Sequence, residues 1–199
     1  AAERERIVAA DILMDAIMGA NESPLKRALL DAGIADDAIG YVADSVAQPF
    51  AVVSLRGARP GAADALRAIV EAEARRLAEG GLDRELVRAA LSHAEFVMRE
   101  RNFGYPDGVV LAMSAMAGWL YSDDDPAAYL RFEDVFASLR EKVEEGYFEA
   151  LLRELFLDND HRACAEVVPT ESDEAAEEAE AAGEREAAAA LTEDEAASI

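Results

Sequence analysis

Apolar residues recur at helical spacing from the start of the chain. Ile7, Val8, Ile12, Leu13, Ala16 and Ile17 share one face, and Met14 and Met18 widen it. Arg4, Asp11 and Asp15 leave only a narrow polar stripe, so the pattern predicts a well-buried helix over residues 2–20. Asn21 to Pro24 break the period. Ser23 is then placed to cap a short second helix that has Pro24 at its first position and ends at Gly33. Between residues 34 and 57 the pattern turns β-rich. Ala38 to Val42 and Phe50 to Leu55 read as neighbouring antiparallel strands separated by Asp44 to Pro49. Gly57 to Gly61 launch a long helix over about 61–79, with Leu66, Ile69, Val70 and Leu77 inward, and Gly80-Gly81 stops it. Asp83 caps the next helix, about 84–102, where Leu86, Ala90, Leu91, Ala94 and Met98 line one side.

The run Asn102 to Gly108 is a clear break. An apolar helix over 108–121 follows, then helices over 126–144 and 146–156. His161 to Val168 reads as a last strand closed by Pro169. Beyond it, 171–190 is an Ala/Glu helix, and Thr192 to Glu195 match a capping box that opens another. Strands that cluster while helices segregate imply an α+β fold: an antiparallel sheet covered by helices on one face, with an acidic helical tail. The boundary falls between a domain over 1–169 and a tail over 170–199. The chain enters directly inside a helix and stops within another, so both ends are expected to be cuts in a longer protein.

Charge changes the picture more than length does. The 199 residues are 52% hydrophobic, enough for a sizeable core, yet carry a formal net charge of −23. That balance opposes nucleic-acid phosphates and anionic membrane surfaces alike. From Thr170 onward eleven acidic residues face only Arg185, but the preceding part is acidic too, which favours cationic peptides over anionic ones as guests. Cys164 is the single cysteine, so no intramolecular disulfide forms. A lone thiol fits a reducing cytoplasm.

A search for catalytic chemistry names no site. A helical zinc motif needs paired histidines, whereas His93 and His161 lie far apart on different elements. His93-Ala94-Glu95 has the His-x-Glu of zinc deaminases without the required cysteine pair, so His93 reads as a packing or surface residue. His161, among Asp158, Asn159 and Asp160, reads as part of a solvated turn. Asp11 and Asp15, at i,i+4, could flank a cation but read as the polar stripe of a buried helix. Gly104 to Gly108 bring Asp107 and no lysine, the wrong charge for a phosphate cradle. Tyr105, Trp119, Tyr121 and Tyr129 could line a peptide groove, although such spacing more often marks core or helix-edge aromatics. No catalytic, cofactor-binding or metal-binding residue is assigned.

Three stretches, in order, resemble the pitrilysin or insulin-degrading superfamily of zinc metallopeptidases, in its presequence-protease branch. They are Asp11 to Gly33 with Met18-Gly19 and Ser23-Pro24-Leu25-Lys26-Arg27-Ala28-Leu29-Leu30; Arg99 to Gly108 leading to Trp119-Leu120-Tyr121, Asp125-Pro126 and Tyr129-Leu130; and Gly146-Tyr147-Phe148 through Leu157 to Arg162. The resemblance spans roughly residues 7–169 and matches the second structural domain of such enzymes. Glu177 to Ile199 resemble the start of the helical hairpin joining their two halves.

The resemblance implies four homologous α+β domains that close into a chamber digesting unfolded peptides. Zinc would be held by an inverted motif in a first domain, expected before residue 1. A substrate-binding Arg and Tyr would come from a fourth domain, expected after residue 199. No catalytic residue of the family carries onto this chain. Its expected role is a non-catalytic chamber wall, partnered by the upstream catalytic domain and the downstream half, and prone to self-association when separate. A stand-alone binding or scaffold domain of the same fold and an unrelated acidic helical adaptor are the alternatives. With two isolated histidines and one thiol, the purified chain is expected to hold no stoichiometric zinc. Elemental analysis finding about one tightly bound zinc per chain would contradict this.

Overall fold

The computed structural model describes residues 2–101, 104–121, 125, 127–169 and 174–190. They fall into two compact units, Ala1–Ala163 and Cys164–Ile199. The first contains helices α1 (Ala2–Met18) and α2 (Pro24–Asp31), strands β1 (Asp37–Ala43) and β2 (Phe50–Arg56), and helices α3 (Ala62–Gly80), α4 (Arg84–Glu100) and α5 (Asp107–Trp119). A 3₁₀ turn (Ala128–Leu130), α6 (Glu133–Lys142) and α7 (Tyr147–Phe156) complete it. The second unit contains α8 (Glu174–Ala190), an Ala/Glu helix as the composition predicts.

Helix α1 is the centre of the first unit. Ile12, Leu13, Met14, Ala16 and Ile17 are all at most 1% exposed, and the helix packs against α2, β1, α4, α6 and α7. Burying each large aliphatic side chain contributes about 1.5–3 kcal/mol. Leu25 and Leu29 of α2, Val87, Ala90 and Leu91 of α4, Leu139 of α6 and Leu151 and Leu152 of α7 close around it. In α3, Leu77 is buried, and Leu66, Ile69 and Val70 pack against the core from its edge.

The two strands pair antiparallel, Asp37 opposite Arg56 and Ala43 opposite Phe50. Ala38, Val42, Ala51, Val53 and Leu55 join the core. Ile39, Tyr41, Phe50 and Val52 occupy the alternate positions and face away. Helices therefore cover one face of the sheet, and the fold is α+β. The two meet most closely at Gly40, where a Cβ would lie 2.6 Å from Met14 Cε and 2.8 Å from Met18 Cγ.

Local signals place most boundaries. Asp83 Oδ1 accepts the Glu85 amide at the start of α4. Gly81, at φ +89°, ends α3 in a conformation that favours glycine. Ser23 behaves otherwise than predicted. Its hydroxyl makes no cap to α2 but accepts the Ala20 amide at 3.1 Å, so it closes the turn that leaves α1. The predicted helix over 126–144 is divided. Asp125 accepts the Ala127 amide and pairs with Arg131, which fits a tight turn before α6 begins at Glu133.

The predicted strand over His161–Val168 does not form: residues 159–169 carry no strand, and Val167 and Val168 are exposed. β-Branched composition creates a preference but not a neighbouring ladder, and without one a strand has no hydrogen bonds to gain. The helix predicted from Thr192 lies outside the described residues.

The contact at Gly40 makes a direct test of the helix-on-sheet packing. Gly40→Val supplies a β-former yet drives two methyl groups into Met14 and Met18. It is expected to destabilise the domain by about 1–3 kcal/mol, read as a lowered midpoint in urea. An unchanged or raised midpoint would mean that α1 does not press on β1 at this position.

Candidate functional site

The aromatic residues named from the sequence separate into two kinds. Tyr129 is a packing residue. Its ring lies against Gly118 of α5, leaving no room for a side chain there. The Arg4 guanidinium sits 5.7 Å from the ring centroid and donates to the Tyr129 carbonyl at 3.5 Å. Burial, ahead of the nearby charges, raises the phenol above its ordinary range. Tyr105, Trp119 and Tyr121 are more than half exposed. The Tyr121 hydroxyl donates to the Ser45 carbonyl at 3.4 Å, which ties the end of α5 to the β1–β2 turn.

Helix α5 adds an apolar stripe to these aromatics. Val109, Met113, Met116 and Leu120 recur at helical spacing and are each between 47% and 64% exposed. Ala117 is the one buried residue of α5 among those described. The helix is apolar almost all round, which ordinarily requires burial, yet its contacts run mainly to the 3₁₀ turn. Here the sequence predicted an apolar helix and the structure leaves one face of it in water.

Acidic groups lie near the tie between α5 and the hairpin: Asp44 begins the β1–β2 turn beside Ser45, and Asp11 and Asp15 are exposed on α1. Burial first, then Asp44 and Asp15, push the Asp11 carboxyl above the usual range. The residue is nonetheless exposed, so Asp11 lies at the acidic surface and not in the core. Among the described residues, no group of three or more His, Cys, Asp or Glu is arranged to hold a metal ion. His93 is exposed on α4, and His161 is exposed in the turn where its amide donates to Asn159 Oδ1 at 2.8 Å. The structure does not bring the two together in such a group. Cys164 is exposed and begins the second unit. The loop before α5 contributes Gly104, at φ +71°, and Asp107, the first residue of α5, has its Oδ2 3.8 Å from Arg101 Nη1.

Sequence reasoning missed the buried charge. Glu95 is 6% exposed, and both of its oxygens are paired. Arg99 approaches one at 2.8 Å, one helical turn along α4, and Arg140 of α6 contacts the other. Arg99 also lies 5.8 Å from the Phe132 ring centroid. The signal was present as an i,i+4 Glu–Arg pair on a helix face. A second clamp joins Glu5 of α1 to Lys142 of α6, whose Nζ sits 4.9 Å from the Tyr147 ring centroid. The hydrogen bond from Lys142 holds the Glu5 carboxyl below its ordinary range. A shallow cleft of about 340 Å³ between α2 and α3 is lined by Glu22, Arg27, Asp31, Glu73 and Arg76 among others. Its charges are of mixed sign, and Arg76 is already bonded to Glu73.

No family model matches the chain. Two relatives do. Over 170 residues the chain is 30% identical to Protein HypA of Clostridium perfringens, covering 85% of this chain and 17% of that protein. Over 170 residues it is 29% identical to Presequence protease 1, chloroplastic/mitochondrial, of Arabidopsis thaliana, covering 82% of this chain and 16% of that protein. The chain thus spans about one sixth of the length of these relatives. The second similarity points to a relationship with peptidases.

The raised titration of Asp11 has a stability consequence with a definite sign. Because folding disfavours its ionised form, Asp11 costs stability at neutral pH, and the cost vanishes as pH falls through its folded titration. Asp11→Asn is therefore expected to raise Tm slightly at neutral pH and to leave it unchanged at about pH 3. Scanning calorimetry at the two pH values checks this. A lower Tm for the variant at neutral pH would show that the carboxylate makes a favourable contact.

Proposed function

We propose that this chain is a non-catalytic wall domain of a zinc-dependent peptidase that degrades unfolded peptides, zinc being held by a separate catalytic domain. The similarity to a presequence protease over most of this chain carries the reading. The exposed side of α5 gives it physical content. Side chains of an unfolded peptide can cover Met113, Met116, Trp119 and Leu120, each burial worth up to about 1.5–3 kcal/mol. The acidic surroundings favour peptides with Lys and Arg and repel acidic ones. Such a surface retains peptide without cutting it. A continuous core formed within residues 2–163 favours a second reading, a stand-alone binding domain of the same fold.

Trp119 is the single tryptophan and lies on the face in question. Titrating the chain with an unfolded basic peptide is expected to shift its emission to the blue, and added salt should weaken the effect. An acidic peptide of equal length should give no shift. The chain alone should leave both peptides intact with or without zinc. Zinc-dependent cleavage by the chain itself, or emission indifferent to millimolar basic peptide, would overturn the proposal. Restored cleavage on adding a zinc-bearing catalytic domain would favour the wall over the stand-alone domain.

A further inference from the structure

The chain has five methionines, and the fold sorts them sharply. Met14 and Met18 of α1 are 1% and 3% exposed in the core, and Met98 of α4 packs against that core. Met113 and Met116 of α5 are 64% and 47% exposed. They stand one turn apart in the middle of the apolar stripe, between Val109 and Leu120, with Trp119 one turn beyond Met116. Valine, leucine and methionine all serve as apolar contacts, but only the thioether is readily oxidised. Unbranched methionine suits a surface that receives varied apolar side chains, and it makes the same two positions chemically changeable.

We propose that Met113 and Met116 form a redox-sensitive pair through which hydrogen peroxide weakens the hold of α5 on peptide. On the reading of α5 as a peptide surface, on which this depends, accessibility is given: a face that admits a peptide chain also admits the much smaller peroxide. One peroxide oxygen passes to each sulfur. The O–O bond breaks and an S–O bond forms; sulfur is oxidised, peroxide is reduced, and the second oxygen leaves with both protons as water. The sulfoxide is polar, so desolvating it opposes the contact that the thioether favoured. With both central positions changed, Val109 and Leu120 are left as separate apolar patches. Met14 and Met18 are shielded by the core, so the fold itself survives. Two thiols reverse the step, taking the oxygen as water and forming a disulfide.

Hydrogen peroxide applied to the Cys164→Ser chain tests this with two independent readouts; the substitution removes an exposed thiol that would oxidise as well. Peptide mapping by mass spectrometry is expected to find sulfoxide at Met113 and Met116 well before Met14 or Met18, which become oxidisable only in urea. The circular dichroism spectrum should not change. Titration with an unfolded basic peptide, followed through Trp119, should then need about tenfold more peptide. Methionine sulfoxide reductases with a dithiol should restore the original titration. Met113→Leu/Met116→Leu, compared only with itself, should titrate alike before and after peroxide. Sulfoxide forming at Met113 and Met116 no faster than at Met14 and Met18 would overturn the proposal. So would an oxidised chain that titrates unchanged, or an equal loss in the leucine variant. An untreated chain that gives no shift overturns the peptide reading itself, and this regulation with it.

Discussion

Burial of α1 is the constraint on which the first unit depends. A helix whose apolar face spans most of its circumference cannot rest on a surface; it must be enclosed. Five other elements supply the enclosure, and each presents a different part of itself: the leucines of α2, the inner face of β1, Val87 and Leu91 of α4, Leu139 of α6, and Leu152 of α7. Ordering each residue costs about 1–2 kcal/mol of backbone entropy. A short element such as α2 or the hairpin therefore gains stability only by sharing α1 with the others. The absence of a side chain at Gly40 belongs to the same requirement, because it lets β1 approach the two methionines of α1.

Around this apolar centre, ion pairs decide how the peripheral helices lie. Glu95 ties α4 to α6, Glu5 ties α1 to α6, and Arg6 reaches Glu154 of α7 at 2.6 Å. Exposed pairs of this kind add little stability individually. Glu95 differs because its carboxylate is buried, so removing either arginine would leave charge with less compensation. These clamps orient helices that the core already holds.

Helix α5 lies outside both arrangements. It is tied to the rest by Tyr129 against Gly118, by Arg4 on Tyr129 and by Tyr121 to Ser45, and it adds no residue to the central cluster. The large apolar side chains that the domain does not use for its own stability are concentrated there and on the outer face of the hairpin.

Periodicity and punctuation made most of the fold legible in the sequence. The apolar spacing of α1, the Gly80-Gly81 stop, the Asp83 cap and the two β-rich runs each report a local preference that the structure keeps. Local preference misled where a residue had a choice of partner. Ser23 could cap α2 but accepts the Ala20 amide, and His161 to Val168 had β composition but carry no strand. The sequence by itself determined the elements, the acidic balance and the residue types from which any site must be built, because these follow from neighbours along the chain. Only the tertiary structure decided that Glu95 would be buried between two arginines, that Tyr129 would pack while Tyr105, Trp119 and Tyr121 would not, and that the α5 stripe would face water. Those outcomes depend on which distant surfaces meet, and spacing along a single element does not carry that information.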